Sequence, residues 1–329
     1  MQLERLACSL REFEGVTRKR SIAALVRAFE ITQNKVIASF GEDAAVIDFG
    51  DKALLLAADG IWSKLMKADP FWAGYCSVLV NVHDIAAMGG QPIAMVNVFS
   101  MSSKQICKVV SQGMSVAVKK FDVPIVGGHI HPDTPYDSID VAILGIARKD
   151  SVIYSHTAQP DDDILIGIDL DGRVHPSFQI NWDSTTHKDT STLKKQLKSM
   201  QVLGEAHLVN AGKDISNPGT LGSLGMILEV SGVGAIVNLK KIPKPPSLEL
   251  EQWLKMYPGM GFIVTAKPEN SAEVIEVFKA HGLTSERIGK IIKGSKLEIV
   301  YDRDRATVFD FKVHKITGLK PVTIKASYD

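Results

Sequence analysis

Apolar runs alternate along this chain with polar turns, and their period switches between helical and extended. In "SIAALVRAFE" (21–30), Ile22, Leu25, Val26 and Phe29 recur at helical spacing. "AAVIDF" and "ALLLAADG" read as two strands around the turn residues "GDK". "FWAGYCSVLVNVHDIAAMGG" (71–90) predicts a long helix stopped at Gly89. "QPIAMVNVFS" predicts a strand, and "SKQICKVVSQGMSVAVKKF" an amphipathic helix. "VPIVGG" and "DSIDVAILGIAR" predict two more strands. The first half is therefore an α+β unit of four or five strands.

The polar stretch "SHTAQPDDD" (155–163) marks a boundary before the strand "ILIGIDL". "ISNPGTLGSLGMILEVSG" predicts a helix, with Asn217 as its cap and Pro218 at its first position. "GMGFIVTA", "PENSAEVIEVFKAHG" and "RIGKIIKG" predict strand, helix and strand. A chain of 329 residues is long for one core, so two α+β domains are expected, 1–155 and 156–329.

Composition narrows the function classes. A net charge of +1 provides no global field to attract nucleic acid or an anionic membrane. No apolar run approaches the roughly 18–20 residues needed to cross a bilayer. "MQLERLACSLREFEG" is amphipathic and contains acids, unlike a signal peptide. Cys8, Cys76 and Cys107 are odd in number and widely spaced, which fits neither a disulfide framework nor a CxxC metal site. A cytoplasmic location is expected.

The candidate chemistry lies in acids that end apolar runs. Asp43 ("GEDAAVI"), Asp59 ("LLLAADG"), Asp84 ("NVHDIAAMGG") and Asp214 ("AGKDISNPG") each sit beside small residues. Asn81 and Asp84, three apart on a helix, share a face. Carboxylates brought together would repel by about 4 kcal/mol per pair at ~4 Å and an effective dielectric of 20. A hard divalent cation removes that cost, and carboxylates with few histidines suit Mg²⁺ better than zinc. Asp43 and Asp59 each also suit an ordinary turn or cap beside glycine. The sequence has neither a P-loop nor a GxGxxG opening a helix.

Taken in order, "GEDAAVI", "AADG", "NVHDIAAMGG", "VGGH" and "KDIS" resemble the AIR synthase-related superfamily. That group includes aminoimidazole ribonucleotide synthetase, thiamine-monophosphate kinase, selenophosphate synthetase and HypE. "AGYCSVLVNVHDIAAMGG", "GGHIHPDTPYDSIDVAILG" and "WLKMYPGMGF" are similar to the branch called methanogenesis marker protein 2, also described as selenophosphate-synthetase-related. The resemblance implies an N-terminal α/β domain that forms a barrel in a homodimer, then a C-terminal α+β domain. It also implies ATP in a cleft between them and Mg²⁺ held by aspartates. By motif position Asp43, Asp59, Asp84 and Asp214 are the expected metal ligands. Asn81, Gly127, Gly128, His129 and Lys213 are expected near the nucleotide. The implied activity is ATP-driven phosphoryl transfer to, or activation of, a small-molecule acceptor in cofactor biosynthesis or maturation. The alternative is a nucleotide-binding assembly or regulatory protein without turnover.

Some features depart from that pattern. Cys8 lies in the helical "LERLACSL" without the glycine-rich context of a selenophosphate synthetase, and is expected to do no chemistry. Lys213 precedes Asp214 where relatives are acidic or glycine-rich, and either touches phosphate or caps a surface. His129, His131 and Asp133 offer a transition-metal cluster that would still need further ligands. "TRKR" (17–20) either folds over phosphates or forms a solvated turn, and "NWDSTTHKD" (181–189) reads as a surface loop or substrate lid.

Overall fold

The computed structural model describes residues 2–29, 34–259 and 261–321. The last residue of the predicted 21–30 helix and the end of the 156–329 unit lie outside them. The first sheet contains β1 (Val36–Ala38), β2 (Ala45–Phe49), β3 (Lys52–Gly60), β4 (Gln91–Ser100), β5 (Ile125–His131) and β6 (Ser138–Arg148). Its strand order is β1-β2-β3-β6-β4-β5, with only β4 and β5 parallel. The second sheet contains β7 (Asp163–Ile168), β10 (Ala211–Asp214), β11 (Gly234–Asn238), β12 (Gly261–Ala266), β13 (Thr284–Ile292), β14 (Lys296–Tyr301) and β15 (Asp304–Asp310). Its order is β10-β12-β7-β13-β11-β14-β15, and β8 (Arg173–Val174) pairs separately with β9 (Trp182–Asp183). The helices are α1 (Leu3–Arg11), α2 (Glu14–Thr17), α3 (Ile22–Val26), α4 (Ser63–Ala68), α5 (Pro70–Ala87), α6 (Lys104–Phe121), α7 (Thr190–Glu205), α8 (Gly219–Ser231), α9 (Leu250–Leu254) and α10 (Ser271–Ala280). The fold is mixed α and β in two parts, as the pattern implied.

Helix α5 organises the molecule. The Asp69 side chain accepts a hydrogen bond from the Trp72 amide and Pro70 opens the first turn, so the start is doubly specified. Nearly every residue from Trp72 to Ala87 is buried, because α5 packs against α6, the first sheet and the second unit together. Its contact with α6 needs glycine on both sides. A Cβ on Gly74 would stand 2.1 Å from the Val110 carbonyl oxygen, and one on Gly113 would stand 1.9 Å from that of Phe71. Gly74→Ala is therefore expected to destabilise the protein despite alanine's better helix propensity, by the ~1–3 kcal/mol typical of overpacking. Thermal melting should show a drop of several degrees; a rise would mean that the helices separate freely.

Strands β7 and β12 are buried on both faces. Ile164, Ile166 and Ile168 face a core shared with α8, whereas Leu165 faces a second core with Phe278 of α10 and Leu203 of α7. Ala86 and Ala87, at the end of α5, enter that second core. Helix α1 also joins the second unit: Leu3, Leu6, Ala7 and Leu10 pack with β15 residues, although sequence order groups them with the first unit. Cys8 is exposed on the opposite side of that helix. Among the described residues, no helix is long and apolar enough to cross a membrane.

Three local expectations are corrected. The helix expected over 21–30 is only Ile22–Val26, and Leu25 (64% exposed) and Phe29 (59%) lie outside the core. The predicted cap of α8 is not Asn217: Pro218 occupies that position, Gly219 follows at φ +74°, and the Asn217 side-chain oxygen is buried without a partner. The 181–189 stretch is no surface lid at its start, because Asn181, Trp182, Asp183, Ser184 and Thr185 are buried. Asn181 accepts from the Trp72 indole at 2.8 Å and Thr185 from the Tyr75 hydroxyl at 2.8 Å, which ties the stretch to α5.

Candidate active site

Four segments deliver the four acids. Asp43 lies in the turn before β2, Asp59 near the end of β3, Asp84 in the last turn of α5 and Asp214 at the end of β10. Carboxylate oxygens of Asp43, Asp84 and Asp214 lie within 4.8 Å of one another. The fold explains the meeting. α5 runs from the first unit into the second core, His83 stacks on Phe262 of β12 with ring centres 5.3 Å apart, and β12 pairs with β10 so that Asp214 stands opposite Phe262. Glu42, beside Asp43, accepts from the Ser155 amide at 2.6 Å and meets His156 Nδ1 at 2.5 Å, so the inter-unit linker is pinned to the Asp43 turn.

Asp84 and Asp214 are buried, and one Asp214 oxygen has no hydrogen-bond partner. Burial raises the Asp84 carboxyl well above its usual range, and the charges of Asp59 and Asp214 raise it further. Burial also raises Asp214, with Lys213 and Lys19 pulling the other way. Lys213 is not a surface cap: it is buried in an ion pair with Asp43. Burial lowers its ammonium while Asp214 raises it. Oxygens at about 2.1 Å from a Mg²⁺ ion stand about 3.0 Å apart when adjacent and about 4.2 Å apart when opposite. A hard-oxygen triad within 4.8 Å, with an orphaned carboxylate oxygen, therefore fits that ion once the carboxylates close on it.

Asp43, Asp59, Asp84, Lys213 and Asp214 line a cavity of about 580 Å³. Lys19 and the apolar Ile22, Phe40 and Leu319 line it as well. The TRKR segment is thus turned partly inward, and Lys19 faces the acids; its exposed neighbours Arg18 and Arg20 hid this in the sequence. Of the 21–30 segment, Ile22 supplies part of the cavity wall, and Phe29 stacks on the wall residue Phe40.

The other nucleotide candidates do not converge here. Asn81 shares the α5 face with Asp84, but its amide donates to the Ser77 carbonyl at 2.8 Å and it does not line the cavity. Gly127, Gly128 and His129 lie on edge strand β5. Asp59 stands opposite Val141, Val141 opposite Asn97, and Asn97 opposite Gly128. Three strand spacings of about 4.8 Å put Gly128 ~14 Å away along that rung. Gly128 also has a reason within the sheet, since a Cβ would stand 2.2 Å from the Asn97 carbonyl oxygen. His129 and His131 rings meet edge to face at 4.6 Å, yet among the described residues no metal-sized group includes them.

His83 is a packing residue. Burial pushes its imidazole down to about 4 from 6.5, so the folded state holds it neutral. The sign follows: its contribution is complete above pH 6.5 and lost as pH falls towards 4, on the order of 3 kcal/mol at ~1.36 kcal/mol per pH unit. Asp84, with its raised carboxyl, acts in the opposite sense. Denaturant titrations between pH 7 and 4.5 should therefore show a steeper acid loss in wild type than in His83→Phe, which keeps the stack. Parallel profiles would refute the assignment.

The family model for the AIR synthase related protein N-terminal domain matches residues 41–147, and that for its C-terminal domain matches 160–302. An uncharacterized protein of Methanocaldococcus jannaschii is 46% identical over 97% of this chain and 100% of its own length. The phosphoribosylformylglycinamidine cyclo-ligase of Pyrococcus furiosus is 25% identical over 85% of this chain and 94% of its own. The structure of Thermotoga maritima PurL with ADP superposes at a TM-score of 0.78 with 19% identity, covering 99% of this chain and 53% of that one; PurL with ATP superposes at 0.75. This chain thus spans about half the length of the PurL chains it matches. With both domain models matched in order over most of its length, the chain belongs to the AIR synthase related family.

Proposed function

We propose that the protein is an ATP- and Mg²⁺-dependent phosphotransferase, or ATP-driven activating enzyme, that acts on a small-molecule acceptor in cofactor biosynthesis or maturation. The observation that carries this reading is the convergence of Asp43, Asp84 and Asp214 on the wall of a nucleotide-sized cavity, with an Asp214 oxygen left unpartnered. PurL, of like fold, is seen with ATP and with ADP. Asp43, Asp84 and Asp214 would hold Mg²⁺, with Asp59 completing the acid wall. When bound, the ion neutralises phosphate charge, the main electrostatic demand of phosphoryl transfer. Lys19 offers a cation to the phosphates, and Ile22, Phe40 and Leu319 offer apolar surface to the base. Product analysis tests the class: ADP release that depends on an added metabolite supports an enzyme, whereas nucleotide binding without turnover supports the assembly-protein reading.

A homodimer belongs to the same proposal. One face of the first sheet is covered by α5 and α6, while the other exposes Leu56, Ile93, Val96, Val98 and Val126. An uncovered apolar sheet face with an open edge strand is a pairing surface. A second copy there would bring nucleotide within reach of Gly127, Gly128 and His129 at the sheet edge. Light scattering at micromolar concentration should give twice the 35.8 kDa chain mass, and Val96→Asp should halve it. A monomeric wild type would remove this part of the proposal.

A further inference from the structure

A second cavity, of about 180 Å³, opens beside the first. The two share Lys19, Asp59, Asp214 and Ser216 as walls, so their contents would meet over the same carboxylates. The second cavity is much the smaller of the two, which suits a small metabolite beside a nucleotide. Its lining carries both charges. Arg18 and Lys19 are its cations, and the Arg18 guanidinium lies 4.4 Å from the centre of the Trp62 ring. Trp62 is in turn held edge to face by Phe178 at 5.8 Å. Stacking therefore fixes an otherwise exposed cation on the cavity wall. Asp59 and Asp214 line the same cavity, and the Lys19 charge acts on both carboxylates.

The rest of the lining is neutral. Burial raises the Cys76 thiol well above its usual range and raises the Tyr257 phenol, so both keep their protons. The Asn217 side-chain oxygen, freed from the capping role, is buried without a donor. A buried acceptor left unpaired is costly, and a ligand N–H or O–H would satisfy it. Arg18 and Lys19 are the cations of this lining, where an anionic group would pair and a cationic one would be repelled.

We propose that this cavity is the acceptor subsite and takes a small organic anion, its carboxylate or phosphate held at Arg18 and Lys19 and a hydroxyl or amine directed towards Asn217 and the acids. The word acceptor rests on the phosphotransferase reading; the anion site does not. The test uses the full-length protein with the larger cavity filled by AMPPCP and Mg²⁺, and titrates acetate and inorganic phosphate while reading Trp62 fluorescence. The expected result is a saturable change for at least one anion, absent in Trp62→Phe and at least tenfold weaker in both Arg18→Gln and Lys19→Gln. A response to acetate alone assigns a carboxylate, and a response to phosphate alone assigns a phosphate ester. Absence of any saturable change, or equal affinity in the Arg18 and Lys19 variants, would overturn the proposal. A melting shift with ATP and Mg²⁺, measured on the same samples, reports the nucleotide reading separately.

Discussion

Asp84→Asn is expected to leave the unliganded protein as stable as wild type or more so, and to remove most of its Mg²⁺-dependent hold on ATP. Asp84 sits among like charges, and burial with Asp59 and Asp214 already raises its carboxyl. Neutralising it relieves repulsion that amounts to about 4 kcal/mol per close pair at an effective dielectric of 20, reduced by whatever proton the group retains. A structural cap would show little change in either property, since asparagine caps as well as aspartate. With ligand at 100 times Kd, binding should stabilise wild type by about 2.7 kcal/mol. At roughly 2–4 °C per kcal/mol this is a melting shift of several degrees. The shift should require both ATP and Mg²⁺, and nearly vanish in Asp84→Asn. Equal shifts in the two proteins would contradict the metal role.

Lys213→Met should have a large effect of opposite sign. The Lys213–Asp43 pair is buried on both sides, with side chains 4% and 3% exposed. Removing one member leaves an uncompensated buried charge, which typically costs about 3–5 kcal/mol. In chelator the variant should melt about 10 °C lower, by the same conversion of roughly 2–4 °C per kcal/mol. Mg²⁺ alone should restore much of the loss, because a divalent cation can replace the ammonium at Asp43. In wild type, Lys213 already neutralises Asp43, so Mg²⁺ without nucleotide should do little. An unchanged melting point in chelator would mean that the pair carries no such weight.

The sequence revealed most about α5, because one helix combined a long apolar body with a glycine stop; its cap at Asp69 went unread. The acids were visible as acids, since charge at the end of an apolar run is conspicuous. Their meeting was not visible, because it depends on α5 crossing between units and on the pairing of β10 with β12. The two strands between Asp59 and Gly128 were equally hidden, as strand order is set by long-range pairing. Lys213 was ambiguous for a related reason: its partner lies 170 residues away. The 21–30 segment carried a helical apolar period that would suit a core, and the structure uses part of it to wall a cavity. Periodicity reports which residues share a face, not what that face meets.

The most direct test is a crystal structure of the full-length protein with AMPPCP and Mn²⁺, recorded with anomalous data at the manganese edge. The account requires a metal peak bonded to oxygens of Asp43, Asp84 and Asp214 and to the triphosphate, with Lys213 displaced from Asp43. A triphosphate bound with no metal at these three carboxylates, or a nucleotide outside the 580 Å³ cavity, would contradict it.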